Sequence, residues 1–226
     1  MKNSLAYPHL LRAPLFEDVA PAVAAPLLDR FGAQTYPEDT VLLSQGEKVR
    51  GMHMIAHGII EVSTYSREGN VSIIHQAARG EVMGEVEALA DRVCAATCTT
   101  ARNATVLFCP TDILRDALTE PLILRNIMRL SHARLIRDNH AKYVHQFYPV
   151  ERRLSAYLLM LGRKNTVLAK SQSYLANIAG CSRQTVNREL GVLRDQGVIA
   201  LEKGVIRILD IAALEARVDL PDEAAG

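Results

Sequence analysis

The chain has 226 residues, with 26 basic and 25 acidic side chains, a formal net charge of +1 and 49% hydrophobic residues. That length and apolar content exclude a mainly disordered chain and predict one or two domains with a sizeable core. No run of 18 apolar residues occurs, and Pro8, His9, Arg12 and Pro14 interrupt the start, so neither a membrane-spanning helix nor a secretory signal is expected and the protein reads as cytoplasmic, with no membrane partner.

The small total charge conceals an uneven distribution: residues 1–110 carry −3, residues 152–207 carry +7 and the last 19 carry −4. A basic block in a neutral chain points to one face that holds a polyanion, although a solvated polar face gives the same count.

The first 30 residues read as partly helical. From Tyr36 to Leu107 short apolar runs alternate with glycine: Gly46, Gly58, Gly69 and Gly80 lie 12, 11 and 11 residues apart, with Met52 to Ile55, Ile59 to Val62 and Val71 to Ile74 between them. Turn signals at that spacing predict an all-β sandwich or barrel, and Glu68-Gly69-Asn70 reads as a hairpin turn because glycine reaches positive φ without steric cost. Pro110-Thr111-Asp112 starts a short helix with Thr111 as its cap, and Glu120-Pro121 starts another.

In that second helix Ile123, Ile127, Leu130, Ala133, Ile136, His140, Tyr143 and Phe147 recur at roughly 3.4 residues per step, near the 3.5 of a coiled-coil seam. Run to Phe147, it is about 40 Å long. The stripe either packs on the helix's own barrel or joins two chains; its length beyond the barrel's width favours a homodimer seam. Tyr148-Pro149 ends the helix, since a residue before proline avoids the α region, and the domain hinge is expected there. The expected domains are residues 1–119, a central helix over 120–148, and 149–226.

Beyond the hinge, Val150 to Leu161 is amphipathic, Ser171 opens a helix that ends at Gly180, and Ser182 caps another, from Arg183 to Gln196, stopped by Gly197. Val198 to Leu201 and Val205 to Leu209, joined by Glu202-Lys203-Gly204, form a hairpin. Leu175, Ile178 and Ala179 on one helix and Val186, Leu190 and Leu193 on the next give two apolar faces that share a core. The free face of the second carries Arg183, Gln184, Asn187 and Arg188, and its start carries Ser182 and Thr185. Arginine forks match guanine O6 and N7, glutamine matches adenine N6 and N7, and a helix N-terminus suits a phosphate.

The run from Gly180 to Arg188, followed by Leu193 to Ile199, resembles the winged helix-turn-helix of the CRP/FNR family of bacterial transcription regulators. Tyr36-Pro37, Gln45-Gly46-Glu47, the run Ile55 to Gly58, Glu68-Gly69 and Gly80 to Glu85 resemble the family's cyclic-nucleotide-type jelly roll. The resemblance spans residues 30 to 209 and implies an α+β protein: an N-terminal β jelly-roll barrel acting as the sensory domain, a long central dimerisation helix and a C-terminal winged helix-turn-helix. It implies a homodimer on a near-palindromic double-stranded operator, responding to a small effector and acting with RNA polymerase. The family's two base-reading arginines fall on Arg183 and Arg188, and its acidic residue is replaced by Gln184.

The same resemblance places the effector pocket at Gly84 and Glu85, matching the stretch that offers backbone amides and a carboxylate to a ribose. Ala95 and Ala96 stand where cyclic-AMP-binding members carry Arg and Ser, which argues against cyclic AMP in the family's usual pose, because the phosphate lacks its guanidinium. The effector is left unknown.

A rival sensor would use Cys94 and Cys98, four apart and so on one face of an extended strand, with Cys109 nearby, as a redox pair or metal ligands attached to a vestigial DNA domain; buried thiols acting as small hydrophobes are the plainer reading. Cys181 reads as structural. No nucleophile elbow, phosphate loop or HExxH motif is present, so no enzyme is expected.

Overall fold

A computed structural model describes residues 1–67, 71–163, 166–169 and 171–218. The predicted Glu68-Gly69-Asn70 turn and two members of the basic block, Lys164 and Lys170, lie outside the described residues. The chain forms two compact units, the first holding described residues 1–67 and 73–137, and the second beginning again at Asp138.

The first unit starts with a short helix, α1 (Asn3–Ala6), two 3-10 turns, and α2 (Pro21–Asp29). Eight strands follow: β1 (Gly32–Tyr36), β2 (Val41–Leu43), β3 (Gly51–His57), β4 (Ile59–Tyr65), β5 (Val71–Ala78), β6 (Val82–Met83), β7 (Thr97–Thr100) and β8 (Ala104–Pro110), with α3 (Glu85–Ala90) between β6 and β7. They form two four-stranded sheets in the orders β1-β8-β3-β6 and β2-β7-β4-β5, the predicted jelly roll. Alternate side chains of a strand face opposite sides, and both sides of β3 and β8 are covered. Met52, Met54, Leu107 and Cys109 join Leu10, Phe16 and Leu28 of the N-terminal helices in one cluster, while Ile55 and Val106 face Leu43, Ile60, Cys94 and Cys98 in another. That double burial is why these strands read as continuous apolar runs. Gly58, between β3 and β4, has φ +89°, and a Cβ there would lie 2.9 Å from Ala104 Cα, so both backbone shape and space require glycine.

His53 on β3 sits 5.0 Å, centroid to centroid, from the Phe108 ring, and its Nδ1 is buried without a hydrogen-bond partner. Burial pushes its pKa down from 6.5 to about 4. Protonation then favours the unfolded chain: the stability tied to this group is complete above pH 6.5 and is lost as pH falls from 6.5 to 4, by on the order of 3 kcal/mol. His53→Gln is expected to flatten that part of the pH dependence, as read by urea unfolding at successive pH values; parallel curves for both proteins would refute it.

A short helix, α4 (Thr111–Ala117), follows β8. Thr111 is its first helical residue and Pro110 its cap position, so the predicted threonine cap is one residue out of place. Then α5 runs from Pro121 to Phe147 as a single helix, with the predicted ends. Its first turns belong to the barrel. Ile123 and Ile127 are buried in the cluster around Leu10 and Met52, Leu130 packs against it, and the buried Asn126 donates to the carbonyls of Leu15 at 3.0 Å and Glu17 at 2.8 Å. The seam predicted to include Ile123, Ile127 and Leu130 is therefore corrected there: those side chains are already covered within the chain. The exposed large apolar side chains of α5 are Leu124, Met128, Leu135, Ile136, Tyr143 and Phe147; Ala133 is exposed as well, while His140 is half-buried.

The second unit contains the end of α5, then α6 (Val150–Gly162), β9 (Val167–Leu168), α7 (Gln172–Ala179), α8 (Arg183–Asp195), β10 (Ile199–Glu202), β11 (Val205–Ile208) and α9 (Ile211–Arg217). Pro149 separates α5 from α6 as predicted. Val144 and Tyr148, however, are buried with Val218, which groups the end of α5 with this unit and moves the boundary from Tyr148-Pro149 to a point inside the helix. The predicted hairpin gains a third strand, giving the order β10-β11-β9; two residues were too few to show in the sequence pattern.

Candidate nucleic-acid interface and effector site

The pair α7 and α8 is built by local rules. The Ser171 hydroxyl accepts from the Tyr174 amide at 3.1 Å and the Ser182 hydroxyl from the Thr185 amide at 3.1 Å, so each helix starts on a side-chain cap. Between them Gly180, at φ +61°, makes the left-handed turn. A Cβ at Gly180 would lie 3.3 Å from the His145 ring, and Arg153 of α6 donates to the carbonyls of His145 at 3.2 Å and Gly180 at 3.5 Å. The turn is thus pinned to the end of α5. Leu175, Ile178 and Ala179 of α7 and Val186, Leu190 and Leu193 of α8 are buried, which commits the inner face of α8 and leaves the opposite one free.

That outer face carries every predicted reading residue. Ser182, Arg183, Gln184, Asn187 and Arg188 are exposed, and Thr185 is half-buried. Arg183 Nε donates to Gln172 Oε1 at 3.4 Å, and the Arg188 guanidinium lies 3.0 Å from Glu189 Oε1. Both guanidiniums keep donors available beyond these contacts, since each has five N–H groups. The tip between β10 and β11 exposes Lys203 beside Gly204 at φ +76°, a second cation-bearing projection on the same unit.

In the barrel, Gly84 at φ +82° opens α3 and turns Glu85 inward. Glu85 is 0% exposed, and its Oε1 accepts from Arg134 of α5, whose other terminal nitrogen donates to the Val82 carbonyl. Glu85 Oε2 has no hydrogen-bond partner. Ala95 is exposed and Ala96 half-buried; the Ala95 amide donates to Glu87 Oε1 at 3.3 Å. Of the predicted pocket, the structure brings Glu85 to a charged partner but sets an acidic side chain on the alanine pair. Sequence reasoning missed Arg134, although a signal existed: it stands 11 residues after Ile123, on the barrel-facing stripe of Ile123, Ile127 and Leu130.

The cysteine trio is not brought together: Cys109 belongs to one core cluster and Cys94 and Cys98 to the other, Cys94 lying outside the strands, before a bend at Ala95 and Ala96, and so not on a shared strand face with Cys98 of β7. Burial pushes the thiols of Cys98 and Cys109 up to about 12, the reverse of what a reactive or metal-binding thiolate needs. Among the described residues no group of three or more His, Cys, Asp or Glu is placed to hold a metal ion, and no helix is long and apolar enough to cross a membrane.

Comparison with known proteins decides the family. The profile of the Crp-like helix-turn-helix domain matches residues 152–217, and that of the cyclic nucleotide-binding domain matches residues 33–120. The chain belongs to the CRP/FNR family. Among relatives of this CRP-like regulator, the cyclic AMP receptor protein of Thermus thermophilus is 27% identical over 90% of this chain and 95% of its own. The cAMP-activated global transcriptional regulator CRP of Salmonella typhimurium is 27% identical over 73% of this chain and 83% of its own. The fold also matches a solved CRP/FNR-family transcriptional regulator of Eubacterium rectale, at a TM-score of 0.72 and 17% identity, over 90% of this chain and 97% of that one. The chain is therefore a CRP-like transcription regulator with a helix-turn-helix DNA-binding domain and a domain of the cyclic nucleotide-binding fold.

Proposed function

We propose that the protein is a cytoplasmic homodimer that reads a near-palindromic operator through α8 and controls access of RNA polymerase to adjoining promoters. The observation that carries this reading is the outer face of α8: Arg183, Gln184, Asn187 and Arg188 stand exposed on a helix whose opposite face is locked into a core. The major groove admits a helix of this kind, and its donor and acceptor pattern distinguishes all four base pairs.

The exposed face of α5 supports dimerisation. Met128 with Leu135, and Ile136 with Tyr143, are heptad pairs, and all four are exposed; such a row on a long helix suits a second copy of itself. Two-fold symmetry then sets two copies of α8 on half-sites about one helical turn apart. Gln184 adds a chain-specific element. A carboxylate at this position only accepts, as from cytosine N4, whereas the amide also donates, so the base preference opposite Gln184 differs from that of Glu-bearing relatives.

Selection of sites from random DNA with the full-length protein tests the reading. The expected product is a two-fold sequence with half-sites 10 to 10.5 base pairs apart, about one turn, bound with a steep dependence on salt. The double variant Leu135→Glu/Tyr143→Glu is expected to run as a monomer and to lose the paired site. Failure to enrich any sequence, or binding indifferent to salt, refutes the proposal.

A further inference from the structure

We infer that Gln172 and Glu189 are positioning residues: each takes the Nε–H of one reading arginine and so leaves the far edge of its guanidinium for the DNA. The inference rests on the reading of α8 proposed above and adds two residues to it, neither as a base contact. Gln172 is the first residue of α7 and Arg183 the first of α8. The bond from Arg183 Nε to Gln172 Oε1, at 3.4 Å, therefore spans the turn at Gly180 and ties the two helix starts together. On α8 itself, Arg188 Nε donates to Glu189 Oε1 at 3.0 Å, and a terminal nitrogen of the same guanidinium lies 3.0 Å from that oxygen. Both acceptors are better covered than the arginines they hold. Gln172 is half-buried while Arg183 is exposed, and the Glu189 side chain is 14% exposed against 72% for Arg188.

This arrangement selects one way of meeting a base. A guanidinium carries five N–H groups on two paired edges, one formed by Nε with a terminal nitrogen and the other by the two terminal nitrogens. With Nε given to Gln172 or Glu189, the edge left complete is the terminal one, and that edge matches O6 and N7 of guanine. An arginine already held when DNA arrives also loses less rotamer freedom on binding, an advantage of about three- to tenfold per side chain. Neither contact holds the fold, because exposed pairs of this kind contribute little to stability. The two acceptors differ in charge. Gln172 is neutral, whereas Glu189 is an anion on a helix that approaches phosphate, so it weakens binding to any DNA while sharpening the choice of base.

Two measurements on the full-length protein test the inference, the first without DNA. Nitrogen-15 relaxation of the arginine Nε–H groups reads the contacts directly: Gln172→Ala should loosen Arg183 alone, and Glu189→Ala should loosen Arg188 alone. Competition binding with single-base operator variants then reads discrimination, the base pair that each arginine reads being located with Arg183→Ala and Arg188→Ala. Each alanine variant of an acceptor should lose about three- to tenfold in discrimination at the base pair read by its own arginine and keep it at the other, with the melting temperature unchanged. Glu189→Ala should also bind unrelated DNA more tightly. Gln172→Glu and Glu189→Gln each keep an acceptor and should keep discrimination, the first with weaker and the second with tighter binding to every sequence. The inference is overturned if neither Nε group changes its mobility, if discrimination is unchanged or falls equally at both base pairs, or if Glu189→Ala sharpens it. Where Glu189→Ala fails to fold, the Gln172 variants and Glu189→Gln decide. Nε groups that respond as expected in a protein selecting no DNA sequence uphold the two contacts and retire the DNA-binding proposal; a selected operator with unresponsive Nε groups does the reverse.

Discussion

Arg188→Ala is expected to weaken operator binding by about 1–3 kcal/mol, or roughly 5- to 150-fold, and to relax base preference at the position it reads. The free-state geometry places the effect toward the upper end. Arg188 is paired with Glu189 at 3.0 Å, and Glu189 is only 14% exposed. Removing the guanidinium deletes a base contact and also uncovers a carboxylate on the side that approaches DNA, where phosphate repels it. Arg188→Lys keeps the charge and loses the fork, so it should preserve salt dependence while losing discrimination. Competition binding with single-base operator variants separates the two, and equal affinity and specificity in Arg188→Ala would remove the residue from the reading set. Neither substitution should change the melting temperature, because Arg188 lies on the exposed face of α8.

Leu190→Ala should act through the opposite face. Leu190 is 0% exposed and shares the inner side of α8 with Val186 and Leu193. Truncation removes transfer energy and leaves a cavity, for about 2–5 kcal/mol of lost stability. In a domain of this size each kcal/mol corresponds to about 4–8 °C of melting temperature, so the second unit should melt well below the parent protein in calorimetry. DNA binding should fail with it, since α8 is held only by that face. A melting shift below that expected for about 1 kcal/mol would show that the neighbouring side chains collapse into the gap. Together the two variants separate reading from support on one helix: the first changes recognition without stability, the second changes both.

Much of this protein is legible in order along the chain because the forces involved are local. Ser171 and Ser182 announce helix starts through a hydroxyl that reaches an amide three residues on, Gly180 announces a left-handed turn, and Pro149 marks the end of α5. That Arg183, Gln184, Asn187 and Arg188 stand exposed follows from which face of α8 is apolar. The regular glycines and apolar runs likewise point to short strands joined by turns, because a strand covered on both faces reads as an unbroken apolar run between turn residues.

What the sequence by itself determined is thus the order and kind of elements and which face of α8 is polar and which apolar. Only the tertiary structure decided what covers the α5 stripe. Period alone cannot tell a helix's own barrel from a second copy, since both present an apolar surface, and here Ile123 and Ile127 went to the barrel while Leu135, Ile136 and Tyr143 stayed exposed. It also decided that Cys94, Cys98 and Cys109 do not assemble, and that Arg134 meets Glu85 across 49 residues of chain. Ion pairs of that separation depend on where two elements are brought by packing, which no local pattern of residues records.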